Sequence, residues 1–517
     1  PHGIHQQLRH EPCLTPIDGS LGRSPLPSLA MRSHVQSVEY INGYCQRQLG
    51  GALRCDTDPN KGRLLRADRA FEHGDQLFSE PPLLLVAEAP SDPAFVRLRR
   101  LARQRNFVHA PLWYWSALAS LTDEDLVACE ASFATASAEQ QAQLLMLCHP
   151  EAAEPSPDVA AIVEELWPRA HRRSALAGKL ERLLSVWLLN CFEHSEEPVG
   201  FSTFFLPSFL SHSCRPNCMW HYKADDFVLR ARQDIAEGDE VTVSYLAEES
   251  LVESTASRRA QLLATKHFIC CCGACQAPLD RARGFVCLSC RDGEIFLDVS
   301  SAAGLPTASA NGACSQCGFL ADSSQVAALC AQEAQVEHFV QEWDRRAGRA
   351  APDTYLTDAL ALRLQANLEG LFSPSHWLRD RTTRHLTAYY EATGRADLAL
   401  PLATRNADFL QEAYPGCSAL RAWALETQGD LQLRLAGFRL VGPSGVEAPG
   451  GLQAEQLAGL WREVGPVYAE ALETLRVLFG EDHEFYTTMQ EKCGSLARAT
   501  RQAGTTKPAR SKANRAR

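Results

Sequence analysis

The sequence predicts an α+β protein: a β-rich first half with a helical insertion, a cysteine-rich middle and an all-α second half. Three observations carry this. Alternating apolar and polar residues around Gly-Asp turns run through Gly62–Val86 and again through Val228–Leu246. Cysteines then bunch as Cys-x-Cys-x-x-Cys and as two Cys-x-x-Cys pairs between Cys270 and Cys317. From about Gln325 the apolar residues keep a helical period almost to the end.

With 517 residues the chain is long enough for two or three domains with real cores. Its 45% hydrophobic and 22% charged content is that of an ordinary globular protein. No apolar run approaches the roughly 20 residues a membrane helix needs, so no membrane partner is expected. No signal-peptide core is visible, and the chain opens on Pro1 rather than methionine, which leaves the true N-terminus open. The 19 cysteines sit at metal-ligand spacings rather than as a disulfide framework, which favours reduced thiols and zinc in an intracellular setting, nucleus or cytoplasm. A net charge of −11 argues against a surface that binds nucleic acid and suits a basic peptide.

Taken in order, the polar, proline-bearing segment 1–37 is expected to be disordered, and Val38 to Leu53 to form an amphipathic lead-in. Gly62–Val86 reads as a hairpin or short meander about Gly74-Asp75. The construction recurs, since Leu65-Arg66-Ala67 stands at the same distance before Gly74-Asp75 as Leu229-Arg230-Ala231 before Gly238-Asp239. These are two similar units of one sheet domain. Between them the chain turns helical, with Leu180, Leu183, Leu184, Trp187, Leu188 and Cys191 on one core-facing stripe.

A polar turn, Ser211-His212-Ser213-Cys214-Arg215-Pro216-Asn217, follows the apolar Phe204–Leu210 run, and Asn217 is placed to lock it. An alternating strand, Val241–Tyr245, comes after the second Gly-Asp turn, then Phe268 and the cysteines Cys270, Cys272 and Cys275. Further on, Cys287/Cys290 and Cys314/Cys317 are two knuckles joined by a Gly-bearing, hairpin-like span. They supply the four soft ligands of a second tetrahedral zinc site. A thiol redox enzyme is disfavoured because the Cys-x-x-Cys pairs have no βαβ setting. Late in the chain, "VGPSGVEAPGG" interrupts the helical pattern near 441–451, and "KPARSKANRAR" is basic and poor in apolar residues. That tail reads as disordered, and apart from it no nucleic-acid partner is expected.

This order of turn, strand and cysteines resembles the SET-domain protein lysine methyltransferases, and the cysteine cluster after "SYL" and a charged helix resembles their SMYD-type branch. The resemblance implies a knot of turn and strand with S-adenosylmethionine on one side and a lysine channel on the other. Tyr245 then matches the tyrosine whose hydroxyl orients the departing methyl and the amine. Ser211 and His212 match the Asn-His pair that clasps the donor, with Ser211 in place of asparagine. Gly62 and Arg63 match the donor loop, whose second glycine is here Leu64. Asn190 matches a donor-side asparagine, and Phe268 the ring that stacks on adenine. The family's tyrosine two residues before that phenylalanine is Lys266 here. Cys214 joins Cys270, Cys272 and Cys275 around one zinc, closed and therefore structural, leaving Cys218 and Cys271 as free thiols. The family's early MYND zinc finger has no counterpart, since the helical stretch holds Cys129 and Cys148 but no Cys-x-x-Cys pair.

The domains implied are a SET domain at 38–250 with its helical insertion at about 90–198, and a post-SET zinc segment at 251–280. A second zinc knuckle at 281–322, a TPR-like helical domain at 323–502 and the tail at 503–517 complete the chain. The function implied is methyl transfer from S-adenosylmethionine to a lysine of a histone or non-histone protein, with further protein partners on the C-terminal helices. Leu64, Ser211 and Lys266 keep open the alternative of a catalytically inactive, zinc-stabilised scaffold.

Overall fold

Strand pairing in the first half is set by two copies of one sequence unit. The computed structural model describes residues 34–149, 154–169, 171–298, 312–347, 357–414, 416–449 and 453–505. Of the expected terminal segments, residues 1–33 and 506–517 lie outside the described residues. The described residues form two compact units, one running to Tyr245 and including Leu263–His267, the other made of Leu246–Leu262 and Phe268 onwards.

The first unit opens with α1 (His34–Leu49), β1 (Leu53–Asp58), β2 (Gly62–Ala67), β3 (Gln76–Glu80) and β4 (Leu84–Ala87). Helices α2 (Pro93–Arg105), α3 (Pro111–Ala119), α4 (Ala138–Leu144), α5 (Pro157–Leu166) and α6 (Arg173–Asn190) follow. Strands β5 (Cys191–Glu196), β6 (Val199–Thr203), β7 (Ser211–His212), β8 (Cys218–Lys223), β9 (Asp226–Ala231) and β10 (Thr242–Val243) complete it. The sheets are β1-β2, β3-β9-β8, β4-β6-β5 and a short parallel pair β7-β10. The helical stripe reaches Asn190 and stops, and Cys191 opens β5, whose partner β6 takes over its backbone groups.

The strands flanking Gly74-Asp75 do not pair with each other, as the hairpin expectation had it; β2 pairs with β1 and β3 with β9. The two Leu-Arg-Ala units instead grip one another. Gly74 N–H donates to the Ala231 carbonyl at 2.7 Å and Gly238 N–H to the Ala67 carbonyl at 2.8 Å. Ala231 N–H reaches Asp75 O at 2.8 Å, and Ala67 N–H reaches Asp239 O at 2.9 Å. Phe71 and Ile235 exchange both backbone bonds at 2.9 Å. Arg230 donates to Gly74 O, and Arg66 to Gly238 O at 3.1 Å. Each contact has its twin, so one sequence unit used twice closes its own backbone groups.

The core beneath is aromatic. Phe192 meets Phe204, Trp220 and Phe227 edge-on at 5.2–5.5 Å, and Trp220 stacks on Phe227 at 5.1 Å. Such offset and T-shaped pairs add roughly 0.5–1.5 kcal/mol each beyond their burial. The insertion docks through buried Trp187, whose Nε1 donates to Ser120 Oγ at 2.8 Å, so its one polar atom is satisfied.

Helix α7 (Thr255–Lys266), whose last residues belong to the first unit, precedes the one-turn α8 (Gly273–Gln276), β11 (Leu279–Val286) and β12 (Glu294–Asp298) of the second. Helices α9 (Ser323–Ala347), α10 (Asp358–Leu371), α11 (Trp377–Ala392), α12 (Ala396–Ala413) and α13 (Ala419–Leu435) follow. The small hairpin β13 (Arg439–Val441) and β14 (Gly445–Glu447) occupies the glycine-rich interruption, before α14 (Ala454–Phe479) and α15 (Glu484–Thr505). At Gly429 of α13 any Cβ would run into the Tyr468 ring of α14, so glycine sets how closely those helices pack. The Tyr468 hydroxyl then reaches Asp430 at 2.5 Å, and buried Lys492 of α15 donates to the same carboxylate at 3.1 Å. Among the described residues no helix is long and apolar enough to cross a membrane.

Candidate active site

The turn and the strand singled out by the sequence lie side by side. β7 and β10 run parallel, Ser211 against Thr242 and His212 against Val243. The pairing is only two residues long, so Tyr245 stands just beyond the strand rather than ending a five-residue one. Asn217 does lock this crossing. Its Nδ2 donates to Glu240 O at 2.8 Å and its Oδ1 accepts from Thr242 N–H at 2.8 Å.

His212 holds Tyr245 in place. The Tyr245 N–H donates to His212 Nδ1 at 3.0 Å, so that nitrogen carries the lone pair and Nε2 carries the proton. Nε2 faces Cys214 Sγ at 3.3 Å, a charge-assisted contact when that sulfur is a thiolate. The Tyr245 hydroxyl donates to Leu210 O at 2.5 Å. Burial, then the negative charges of Cys148 and Glu240, push the Tyr245 phenol above its ordinary value, so it is a proton donor at neutral pH.

The remaining donor-side residues have definite partners. Gly62 sits at a φ of 77°, the left-handed backbone that glycine adopts most easily, where the β1-β2 turn closes. Arg63 donates to Met146 O at 2.6 Å and covers the Phe209 ring at 4.9 Å. Leu64, where the pattern has a second glycine, is fully buried in the core. Asn190 Nδ2 donates to the Cys148 and Val186 carbonyls, both at 2.8 Å. The Ser211 hydroxyl donates to Glu240, which Lys61 also holds at 2.7 Å. The sequence reading missed Glu240 and Lys61, which lie 179 residues apart and carry no spacing signal.

Lys266 reaches this site. Its Nζ donates to Leu189 O at 3.0 Å and stands 5.9 Å from the centre of the Tyr245 ring. The Leu210 carbonyl thus takes the tyrosine hydroxyl, and the Leu189 carbonyl the lysine beside the ring. An aromatic face with oxygen acceptors suits a sulfonium and its polarised methyl group, so the residues present fit S-adenosylmethionine.

In the second unit, Phe268 is half-buried just ahead of the cysteines. The sulfurs of Cys270, Cys272 and Cys275 lie within 4.8 Å of one another. The Cys272 N–H points at Cys270 Sγ at 3.4 Å, and the buried Arg258 guanidinium stands 3.7 Å from Cys275 Sγ. Arg259 bonds the Cys270 and Cys275 carbonyls at 3.1 and 3.0 Å, which ties both ends of the cluster to α7. A buried cation and an N–H on sulfur are what thiolates need, so this set fits a soft metal.

Cys287, Cys290, Cys314 and Cys317 gather as the spacing predicted, all within 4.8 Å. The first knuckle is itself the turn of the β11-β12 hairpin, with Cys287 N–H on Gly293 O at 2.8 Å, and residues 299–311 of the span joining the knuckles lie outside the described residues. Sulfur separations of 3.7 Å for Cys287–Cys317 and Cys290–Cys314 match the edge of a tetrahedron built on zinc–sulfur bonds of about 2.3 Å. Burial opposes ionisation of Cys287, yet the N–H groups of Cys290 and Ser289 bring its thiol below the ordinary value. A Cβ on Gly293 would strike Cys314 Sγ, so the glycine makes room for the ligand.

Comparison with known proteins agrees with this architecture. Residues 62–246 match the model of the SET domain. The chain is similar to SET domain-containing protein SmydA-8, isoform B, of Drosophila melanogaster, 33% identical over 117 residues, 22% of this chain and 25% of that one. It is also similar to Protein-lysine N-methyltransferase SMYD4 of Mus musculus, 38% identical over 90 residues, 16% of this chain and 11% of that one. Histone-lysine N-methyltransferase SMYD3 of Homo sapiens is 36% identical over 80 residues, 16% of this chain and 18% of its own length. The SET region is thus similar to that of SMYD-type SET proteins, and the matches span a quarter or less of each relative.

Proposed function

We propose that the chain is an S-adenosylmethionine-dependent protein lysine N-methyltransferase acting on a lysine of a histone or non-histone protein. The observation that supports this most is the pairing of β7 with β10, in which His212 holds the Tyr245 backbone beside the Leu210 carbonyl. The donor supplies a methyl group on a sulfonium. Tyr245, neutral and fixed, orients the acceptor amine, while the Leu210 and Leu189 carbonyls favour positive charge at the junction. Gly62, Arg63, Asn190, Ser211, His212 and Phe268 form the donor side of this reading. Cys214, buried at the end of the turn, joins Cys270, Cys272 and Cys275 around a structural zinc, and Cys287, Cys290, Cys314 and Cys317 hold a second. Reduced cysteine sites of this kind support a nuclear or cytoplasmic setting as part of this reading, which also assigns protein partners to the C-terminal helices.

A second reading, a catalytically inactive scaffold, draws on the Ser211 hydroxyl being taken by Glu240 and on an ammonium standing at Tyr245. Calorimetric titration of the zinc-loaded full chain with S-adenosylmethionine separates the two. Micromolar binding, retained in Tyr245→Phe and lost in His212→Ala, is expected. The histidine substitution removes the acceptor of the Tyr245 N–H and the donor to Cys214, so its fold is checked by circular dichroism. Absence of binding in folded wild-type protein would favour the scaffold.

A further inference from the structure

Lys266 ends α7, and His267 after it takes a left-handed φ of 59° that terminates the helix. The turn sends the lysine side chain back to Tyr245, where its Nζ lies 5.9 Å from the ring centre with the Leu189 carbonyl as acceptor. An aromatic face and a carbonyl are the surroundings that a lysine channel offers to an incoming amine. Here a lysine of the chain itself already has them.

We propose that Lys266 is a methyl acceptor of this same site, modified within its own chain; this rests on the methyltransferase reading above. The Lys266 ammonium first gives a proton to water. Its Nζ lone pair then forms the new N–C bond as the methyl–sulfur bond breaks, and that electron pair returns to sulfur. S-adenosylmethionine leaves as neutral S-adenosylhomocysteine, and Lys266 becomes a methylammonium. A singly methylated nitrogen keeps two N–H groups, so the bond to Leu189 O survives the reaction. The acceptor is tethered, and the rate is therefore first-order in protein.

The test uses the zinc-loaded full chain and S-adenosylmethionine with a trideuterated methyl group, followed by proteolysis and tandem mass spectrometry. Label on Lys266 is expected, at a fractional rate unchanged when the protein is diluted, absent in Lys266→Arg and slowed about tenfold or more in Tyr245→Phe. A second readout needs no turnover. A cation beside the sulfur discriminates against the charged donor relative to neutral S-adenosylhomocysteine, so Lys266→Met is expected to raise that affinity ratio about fivefold. Donor binding with no label on Lys266 and an unchanged ratio would overturn the inference and leave the methyltransferase reading intact. Failure to bind either molecule would overturn both, and label that slows on dilution would show modification between chains instead.

Discussion

Glu80 closes β3 with a carboxylate that is 4% exposed, and its Oε1 accepts from the Phe205 N–H at 2.6 Å and the Leu206 N–H at 3.2 Å. Those donors open the short helical turn Leu206–Phe209 that delivers the chain to Ser211, so one side chain fixes the entry to the site. Burial pushes its carboxyl up to about 8, against the lowering pull of the two N–H groups. An acid whose folded pKa is raised binds more proton in the folded state. Its contribution to stability is therefore whole below the unfolded value of about 4.3 and is lost as pH rises toward about 8. Glu80→Gln keeps an oxygen facing both N–H groups and cannot ionise. The unfolding temperature of the parent is thus expected to fall between about pH 5 and 8 relative to Glu80→Gln, by an amount worth a few kcal/mol. Parallel pH profiles would show that the carboxyl does not change its ionisation on folding. Nothing in "FSEPP" distinguishes this glutamate from one at a solvated strand end, because the N–H groups that hold it belong to Phe205 and Leu206, more than 120 residues further along the chain. Tyr245 and His212 were legible for the opposite reason: they lie in a local turn and strand whose residues are neighbours in sequence.

The two Leu-Arg-Ala units show what spacing alone conveys at the scale of elements. That the unit occurs twice is written in the sequence, down to the matching Gly-Asp pair. Which strand each copy pairs with is not, since a hairpin within one copy and a clasp between copies have the same alternation of apolar residues. The clasp wins because each glycine offers its N–H and carbonyl to the other copy's Ala and Arg, a pairing separated by more than 150 residues. Asp75 and Asp239 reinforce it alike, each accepting a turn N–H at 3.0 Å, from Glu72 and Ala236. Gly74 and Gly238 take φ values of 87° and 91°, outside the range that L-residues adopt freely. A Cβ at Gly238 meets nothing within 4 Å, so the cost of alanine there is backbone strain alone. Gly74→Ala and Gly238→Ala are each expected to lower stability by about 1–2 kcal/mol in urea titrations, with similar magnitudes at the two positions. A large effect at one and none at the other would mean that the clasp is not a shared cooperative element.

Across the whole molecule, the cysteines divide the labour between metal and apolar core unequally. The clasped sheets and the helical insertion of the first unit rest on a continuous core from Ile41 to Val243, while among the described residues the cluster immediately around Cys287 and Cys314 adds only buried Ile295, with Phe319 and Ala321 packed on it. Phe285 of the hairpin turns instead to Phe372 and His376. So small a cluster around the sulfurs leaves the metal to supply most of the energy that orders the two knuckles. The helices α11–α15 have their own buried contacts, including Tyr468, Asp430 and Lys492, none of which touches a cysteine site. The purified chain is expected to carry two zinc ions by elemental analysis, falling to one in Cys290→Ser and to one in Cys272→Ser. Stripping the metal with a strong chelator should open the knuckles at Cys287–Cys290 and Cys314–Cys317 to proteases while the helical circular dichroism changes little. A collapse of the helical signal in step with zinc release would show that the helices depend on the knuckle after all. Retention of two zinc ions in Cys290→Ser would mean that three sulfurs suffice there, and that the tetrahedral spacing of the four is not what holds the ion.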